Sequence, residues 1–161
     1  NPCPCGYFGH PSRACICTPK AVNRYLSRVS GPLLDRLDLH IEVPPVDFEK
    51  LSSAEPAEPS SAIRERVNRA RKLRYAGMGF SCNARISPDK LQEVCRLSPP
   101  AQKLLKAAFE KLGLSARAYD RVLKVARTIA DLEGAGDITA LHAAEAVQYR
   151  SLDRKYWMTE L

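Results

Sequence analysis

Hydrophobic positions along this chain follow two different periods, alternating over 37–43 and helical both upstream over 18–29 and beyond residue 61. Over 37–43, Leu37, Leu39, Ile41 and Val43 alternate with Asp38, His40 and Glu42. Period two places the four aliphatics on one face of a short strand. A Gly31-Pro32 break and one tight turn, Pro-Leu-Leu-Asp-Arg, lead into it, so Arg36 stands at the strand's mouth between Asp35 and Asp38. A rigid turn there suits a guanidinium held at a fixed distance from a phosphate on another molecule. A surface pair with Asp35 or Asp38 is the plainer reading of the same residues. Upstream, Val22, Tyr25, Leu26 and Val29 recur at helical spacing behind Thr18-Pro19, an N-cap followed by a residue suited to the first helical position. That helix stops at Ser30-Gly31-Pro32, and its Arg24 and Arg28 read as solvated surface.

Pro44-Pro45 ends the strand, and residues 46–61, rich in Ser, Glu, Pro and Ala, read as a linker. Everything beyond reads as helix. A first helix near 61–76 points Ile63, Val67, Ala70 and Leu73 inward. Arg64, Arg66, Arg69, Arg71, Lys72 and Arg74 cover the rest, as a solvated face or as contacts to nucleic-acid phosphates. A loop follows over 77–86. Ser87-Pro88 caps a short helix to about Leu97, and Ser98-Pro99 caps a longer one that Gly113 ends in a left-handed cap. Ser115 caps a long helix to about Glu133, striped by Tyr119, Val122, Leu123, Ala126, Ile129 and Ala130. The last helix is capped by Asp137 or Thr139 and buries Leu141, Ala144, Ala146 and Val147, with His142 partly exposed. The tail over 153–161 carries the single Trp157.

Composition narrows the class. Hydrophobic residues make up 45% and charged residues 27%, as in ordinary globular proteins, and no apolar run is long enough to span a membrane. The opening Asn-Pro-Cys-Pro-Cys is not a translation start and reads as the edge of an excised piece. Twenty-five basic against 18 acidic residues give a net charge of +7, a lean toward polyanionic partners. Four of the six cysteines fall within residues 3–17, unlike a disulfide framework that staples a whole secreted chain. A reducing, cytoplasmic compartment fits that clustering better.

Two segments carry candidate chemistry. Cys3/Cys5 and Cys15/Cys17 are Cys-x-Cys pairs, and residues i and i+2 of an extended chain point to one side. Four thiolates in tetrahedral array suit a structural zinc ion, with no open position for substrate. Reduced thiols in a packed loop and a disulfide remain alternatives, and His10 could replace one thiolate. Arg117, a cation in the first turn of the long helix, opposes the helix dipole at a cost of a few tenths to ~1 kcal/mol. Exposed amides and a guanidinium together suit an anion there.

Leu33-Leu34-Asp35-Arg36-Leu37-Asp38-Leu39 resembles the arginine-finger segment of the helix-insert branch of AAA+ ATPases, which includes the magnesium-chelatase ATPase subunit and the MCM replicative helicases. Residues 1–43 are most similar to the Mg-chelatase-like ComM/YifB family, and the likeness runs over nearly the whole chain. It implies a mostly α chain: the end of an AAA+ α/β core with a Cys-rich insertion over 1–46, a linker over 47–60, and an α-helical lid bundle over 61–161. It further implies that Arg36 reaches the γ-phosphate of ATP held by the neighbouring subunit of a ring, hexameric in the family's manner. Asn1 resembles sensor 1, which positions the attacking water. Leu-Ser-Ala-Arg-Ala-Tyr over 114–119 resembles sensor 2, so Arg117 would touch the γ-phosphate from the lid. No Gly-x-x-x-x-Gly-Lys-Ser/Thr occurs in the sequence, so this stretch by itself is not expected to bind and hydrolyse ATP with Mg. For the ComM branch the resemblance implies remodelling of DNA, with branch migration in natural transformation. The chelatase subunit, which drives magnesium into a porphyrin, and a non-catalytic zinc-bearing DNA-binding module are the alternatives.

Overall fold

The computed structural model describes residues 1–46, 48, 52, 56–75 and 81–150. They form two compact units, Asn1–Ser53 with Arg150–Leu161, and Ala54–Tyr149. The tail over 153–161 with Trp157, much of the linker, residues 77–80 of the loop and the side chain of Arg74 lie outside the described residues.

In the first unit, α1 (Pro19–Leu26) starts where its cap predicts, with Thr18 Oγ1 accepting from the Ala21 amide at 3.3 Å. Val22 and Leu26, one turn apart, are its buried face and pack with Cys3. Arg28 is exposed and lies over the Tyr25 ring at 5.5 Å. One further turn, α2 (Gly31–Leu34), follows the Gly-Pro break and buries Leu34. The expected strand over 37–43 is not present. Leu37, Leu39, Ile41 and Val43 are 45%, 48%, 64% and 83% exposed, and no strand runs beside them among the described residues. Alternation alone makes a strand only where a neighbour supplies hydrogen bonds and a face to bury against.

The second unit holds α3 (Ser60–Tyr75), two 3-10 turns (Asn83–Arg85 and Pro88–Lys90), α4 (Leu91–Val94), α5 (Pro99–Leu112), α6 (Ala116–Glu133) and α7 (Ala140–Gln148). Helix α6 lies at its centre, against α3, α4, α7 and the Asn83–Arg85 turn, while α5 packs on α7. The apolar stripe of α6 is as expected: Val122, Leu123, Ala126 and Ala130 are buried with Leu105, Ile138 and Ala143. Serine caps start α5 and α6, where Ser98 Oγ and Ser115 Oγ accept from Ala101 N and Ala118 N. Gly113 and Gly134 end them at φ 55° and 78°, a region that only glycine enters without steric cost.

Three expectations are corrected here. The helix from Ser87 to about Leu97 is only a 3-10 turn followed by α4, with Cys95 as its end. Residues 96–98 are instead drawn into a parallel bridge, in which Ile138 N donates to Arg96 O at 2.8 Å and Ser98 N to Ile138 O at 2.9 Å. On α3, Ile63, Val67 and Leu73 are 41%, 40% and 55% exposed, and of the expected inward set only Ala70 is buried. A small residue at that point lets α3 approach α6 closely over a narrow seam. On α7, Leu141 faces outward and His142 is buried. The helix is set by its start: His142 Nδ1 accepts from Thr139 N at 3.0 Å and Nε2 reaches Glu133 Oε2 at 2.7 Å. That bond ties the imidazole inward and rotates Leu141 out.

The polar centre of this unit is not apparent from hydrophobic periodicity. Arg127, on the buried side of α6, has no exposed surface. Its Nε lies 3.0 Å from Asp131 Oδ1, while Nη1 and Nη2 donate to the carbonyls of Gly136 and Ala135 at 2.7 and 2.6 Å. Asp131 Oδ2 in turn accepts from Asn83 Nδ2 at 2.8 Å. Removing one partner of such a buried pair leaves an uncompensated charge. Arg127→Met is therefore expected to lower stability by about 3–5 kcal/mol in chemical denaturation. Arg127→Lys, which keeps the charge without the planar fork, should lose less. Equal stability of wild type and Arg127→Met would refute this account.

Candidate functional site

The chain's opening loop is shaped by Gly6, whose φ of +83° reverses the backbone and lets Gly6 N donate to Cys3 O at 3.1 Å. The reversal gathers the thiols. Cys3 and Cys5 Sγ lie 3.4 Å apart, Cys5 and Cys15 3.6 Å, and Cys15 and Cys3 3.7 Å. With Cys17 all four sulfurs fall within 4.8 Å of one another. None of them is in a disulfide. Four sulfurs about 2.3 Å from a central ion in tetrahedral array would stand ~3.8 Å apart, so the pocket needs little adjustment to fit one. His10 is not among them: its Nδ1 accepts from Ser12 N at 3.2 Å, and its ring meets Tyr7 edge-on.

Backbone amides and shared protons split the ionisation of these thiols. The Tyr7 amide, and then that of Ile16, hold Cys5 well down, at about 6. At Cys15 the Cys17 amide also pulls down, but burial and the neighbouring Cys5 and Cys3 outweigh it and push the thiol up to about 12. Cys5 is therefore the member of the cluster most readily held as a thiolate. A divalent cation would favour the thiolate form of all four.

Asn1 is exposed beside this loop. With Phe8, His10, Ile41 and Glu42 it lines a hollow of about 570 Å³. Arg36 is also exposed, directly after α2, and its Nη1 donates back to Pro32 O at 2.9 Å. It is Arg150, not Arg36, that takes the Asp35 carboxylate, through Nη2 at 3.4 Å. Arg150 is a buried side chain whose Nη1 also donates to Leu37 O. Nothing in the local sequence signals this, because its partners lie more than a hundred residues away. Arg117 belongs to the other unit, at the second position of α6, exposed in the first turn where Ser115 Oγ accepts from the Ala118 amide.

The basic helix is α3. Arg66 is bound bidentately to Glu58 at 2.7 and 3.1 Å, and this guanidinium holds the Glu58 carboxyl below its usual range. Ser61, Arg64, Glu65, Asn68, Arg69 and Lys72 line a surface hollow of about 430 Å³. Arg64, Arg69 and Lys72 all lie on exposed positions there.

Comparison with known proteins places both halves. Residues 57–150 match the family model of the C-terminal part of magnesium chelatase subunit ChlI, and residues 1–51 match that of magnesium chelatase subunit ChlI. Over 156 residues, 96% of the chain, it is 41% identical to the competence protein ComM of Haemophilus influenzae. It is 40% identical over the same length to the uncharacterized protein YifB of Escherichia coli, and 42% to that of Salmonella typhimurium. The chain spans 30% of the length of each of these relatives.

Proposed function

The chain belongs to the magnesium-chelatase-like ComM/YifB family, and from that membership we propose that it is part of an AAA+ ring motor that couples ATP hydrolysis to remodelling of DNA. The observation that carries this reading is the placement of Arg36. It stands exposed at the end of a one-turn helix, with the adjacent carboxylate already taken by another arginine. A guanidinium so presented is available to a phosphate on a neighbouring subunit. There it would neutralise charge on the transferring phosphoryl group, the main source of rate in such enzymes. Arg117 would do the same from the helical unit, where its guanidinium and the α6 amides point to an anion. Asn1 would orient the attacking water. ATP with Mg would be bound by parts of the protein outside this sequence, since it contains no phosphate-cradling Gly-Lys-Ser/Thr loop.

The DNA substrate is favoured over a porphyrin by the name of the Haemophilus relative, a competence protein, and by the open face of α3 with Arg64, Arg69 and Lys72. Branch migration during natural transformation is the corresponding biological role. The four-cysteine cluster supports a structural zinc ion held by Cys3, Cys5, Cys15 and Cys17. Its work would be to fasten the loop bearing Asn1 onto Val22 and Leu26 of α1, since Cys3 packs against both.

Three outcomes are expected of the full-length protein. Arg36→Ala should abolish most ATP turnover while ATP binding is retained, and branched DNA should stimulate the wild type. Turnover indifferent to the substitution would remove Arg36 from the chemistry, and turnover indifferent to DNA would reopen the substrate. Replacing Arg64, Arg69 and Lys72 together by Ala should reduce the slope of log affinity against log salt by up to ~0.9 per lost phosphate contact. Replacing the exposed Lys103 and Lys106 of α5 should leave that slope alone. Mass spectrometry of the metal content should find one zinc per chain, lost in Cys3→Ala together with thermal stability. A zinc-free protein of unchanged melting temperature would exclude the metal.

A further inference from the structure

We propose that Arg150 is a positioning residue for Arg36, setting the reach of that guanidinium toward the neighbouring subunit's nucleotide. The proposal rests on the reading of Arg36 as a group that acts across a subunit interface.

Arg150 has the signature of a clamp. Its side chain is only 1% exposed, a costly state for a guanidinium unless its donors are satisfied. Its two terminal nitrogens each reach one of the residues that flank Arg36. Nη1 donates to the Leu37 carbonyl and Nη2 faces Asp35 Oδ1 at 3.4 Å. Arg36 lies between these two points and contributes neither of them, so its own side chain remains exposed.

The turn needs such a clamp. Successive turn bonds, Arg36 N to Leu33 O and Leu37 N to Leu34 O at 3.0 Å each, carry the chain just past α2. After Leu37 the described backbone enters no helix or strand up to residue 46, and Leu37, Leu39, Ile41 and Val43 are all substantially exposed. The Leu37 carbonyl is a point at which the end of the turn is fastened, and Arg150 fastens it. The Asp35 contact has a second effect. It occupies the carboxylate nearest in sequence to Arg36, which would otherwise compete with a phosphate for that guanidinium. A planar fork with several fixed donors is the side chain suited to holding a carbonyl and a carboxylate at once.

Misplacement of a catalytic group by about 1 Å costs on the order of 100-fold in rate. The test is a double-mutant cycle in the full-length ring, read by single-turnover ATP hydrolysis and by the KM for ATP. Arg150→Met is expected to lower kcat by about 10- to 100-fold with KM changed less than about twofold. In an Arg36→Ala background the same substitution should cause no further loss, because its effect is exerted through Arg36. Asp35→Asn weakens one of the two contacts at a residue that is not fully buried, and should give a smaller loss that likewise vanishes when Arg36 is absent. If Arg150→Met rings fail to assemble, the Asp35→Asn cycle decides the matter.

Wild-type kcat in Arg150→Met, or losses that multiply with Arg36→Ala in the cycle, would overturn the positioning role and leave Arg36 untouched. Wild-type turnover in Arg36→Ala would instead overturn the reading of Arg36 and this proposal with it.

Discussion

The helical unit is arranged around one buried guanidinium. Arg127 reaches from the middle of α6 to the carbonyls of Ala135 and Gly136, and its charge is met one turn on by Asp131. The loop between α6 and α7 thus takes its shape from a side chain inside the helix before it. Gly134 turns the chain at the end of α6, and the two carbonyls that follow are aimed back at the arginine. That places Ile138 where it can pair with residues 96–98 and be buried completely. Asp131 extends the same network to Asn83, which also donates to Thr128. Three separate stretches of chain are therefore referenced to one charged pair, surrounded by the alanines that let α6 sit closely among its neighbours.

Arg150 follows the same rule in the first unit: a buried arginine whose terminal nitrogens reach a carbonyl and a carboxylate holds a segment that has little regular structure of its own. Among the described residues Cys3, Val22 and Leu26 make a buried cluster, with Phe8 and the other clustered cysteines around it. Small domains commonly draw stability from a metal or a cross-link as well as from buried area. Four sulfurs converge on that same spot, all within 4.8 Å of one another.

Much of the fold was legible in local sequence because it is local in origin. The Ser98, Ser115 and Thr18 caps, the glycine at 113 and the apolar stripe of α6 are all short-range signals, and each is found where it was expected. The clustering of four cysteines was also readable, since spacing along fifteen residues limits how far they can separate. What could not be read were the long-range decisions. The strand at 37–43 has the right alternation but no partner among the described residues. The helix after Ser87 is cut short by a bridge to Ile138. His142, placed by its type on a surface, is turned inward by Thr139 and Glu133. Arg127 and Arg150 are invisible for the same reason: a charged residue within a helical pattern reads as solvent-facing until its partners are known. Of the candidate site, the positions of Arg36 and Arg117 were suggested by motif, whereas the environment that leaves Arg36 exposed came only from the three-dimensional arrangement.

The bridge between Leu97 and Ile138 has a consequence for the order in which this unit assembles. It closes a loop of about 40 residues that contains all of α5 and α6, at an entropic cost of roughly 3 kcal/mol by polymer statistics. Two backbone hydrogen bonds do not offset that cost until the helices inside the loop have formed and packed. Helix nucleation and the α6 contacts should therefore precede it, and the bridge should close late, as a latch on a bundle already collapsed. Pulse-labelled hydrogen exchange would read this directly, with the Ile138 and Ser98 amides gaining protection after those in the middle of α6. Simultaneous protection would show instead that the bridge belongs to the folding nucleus.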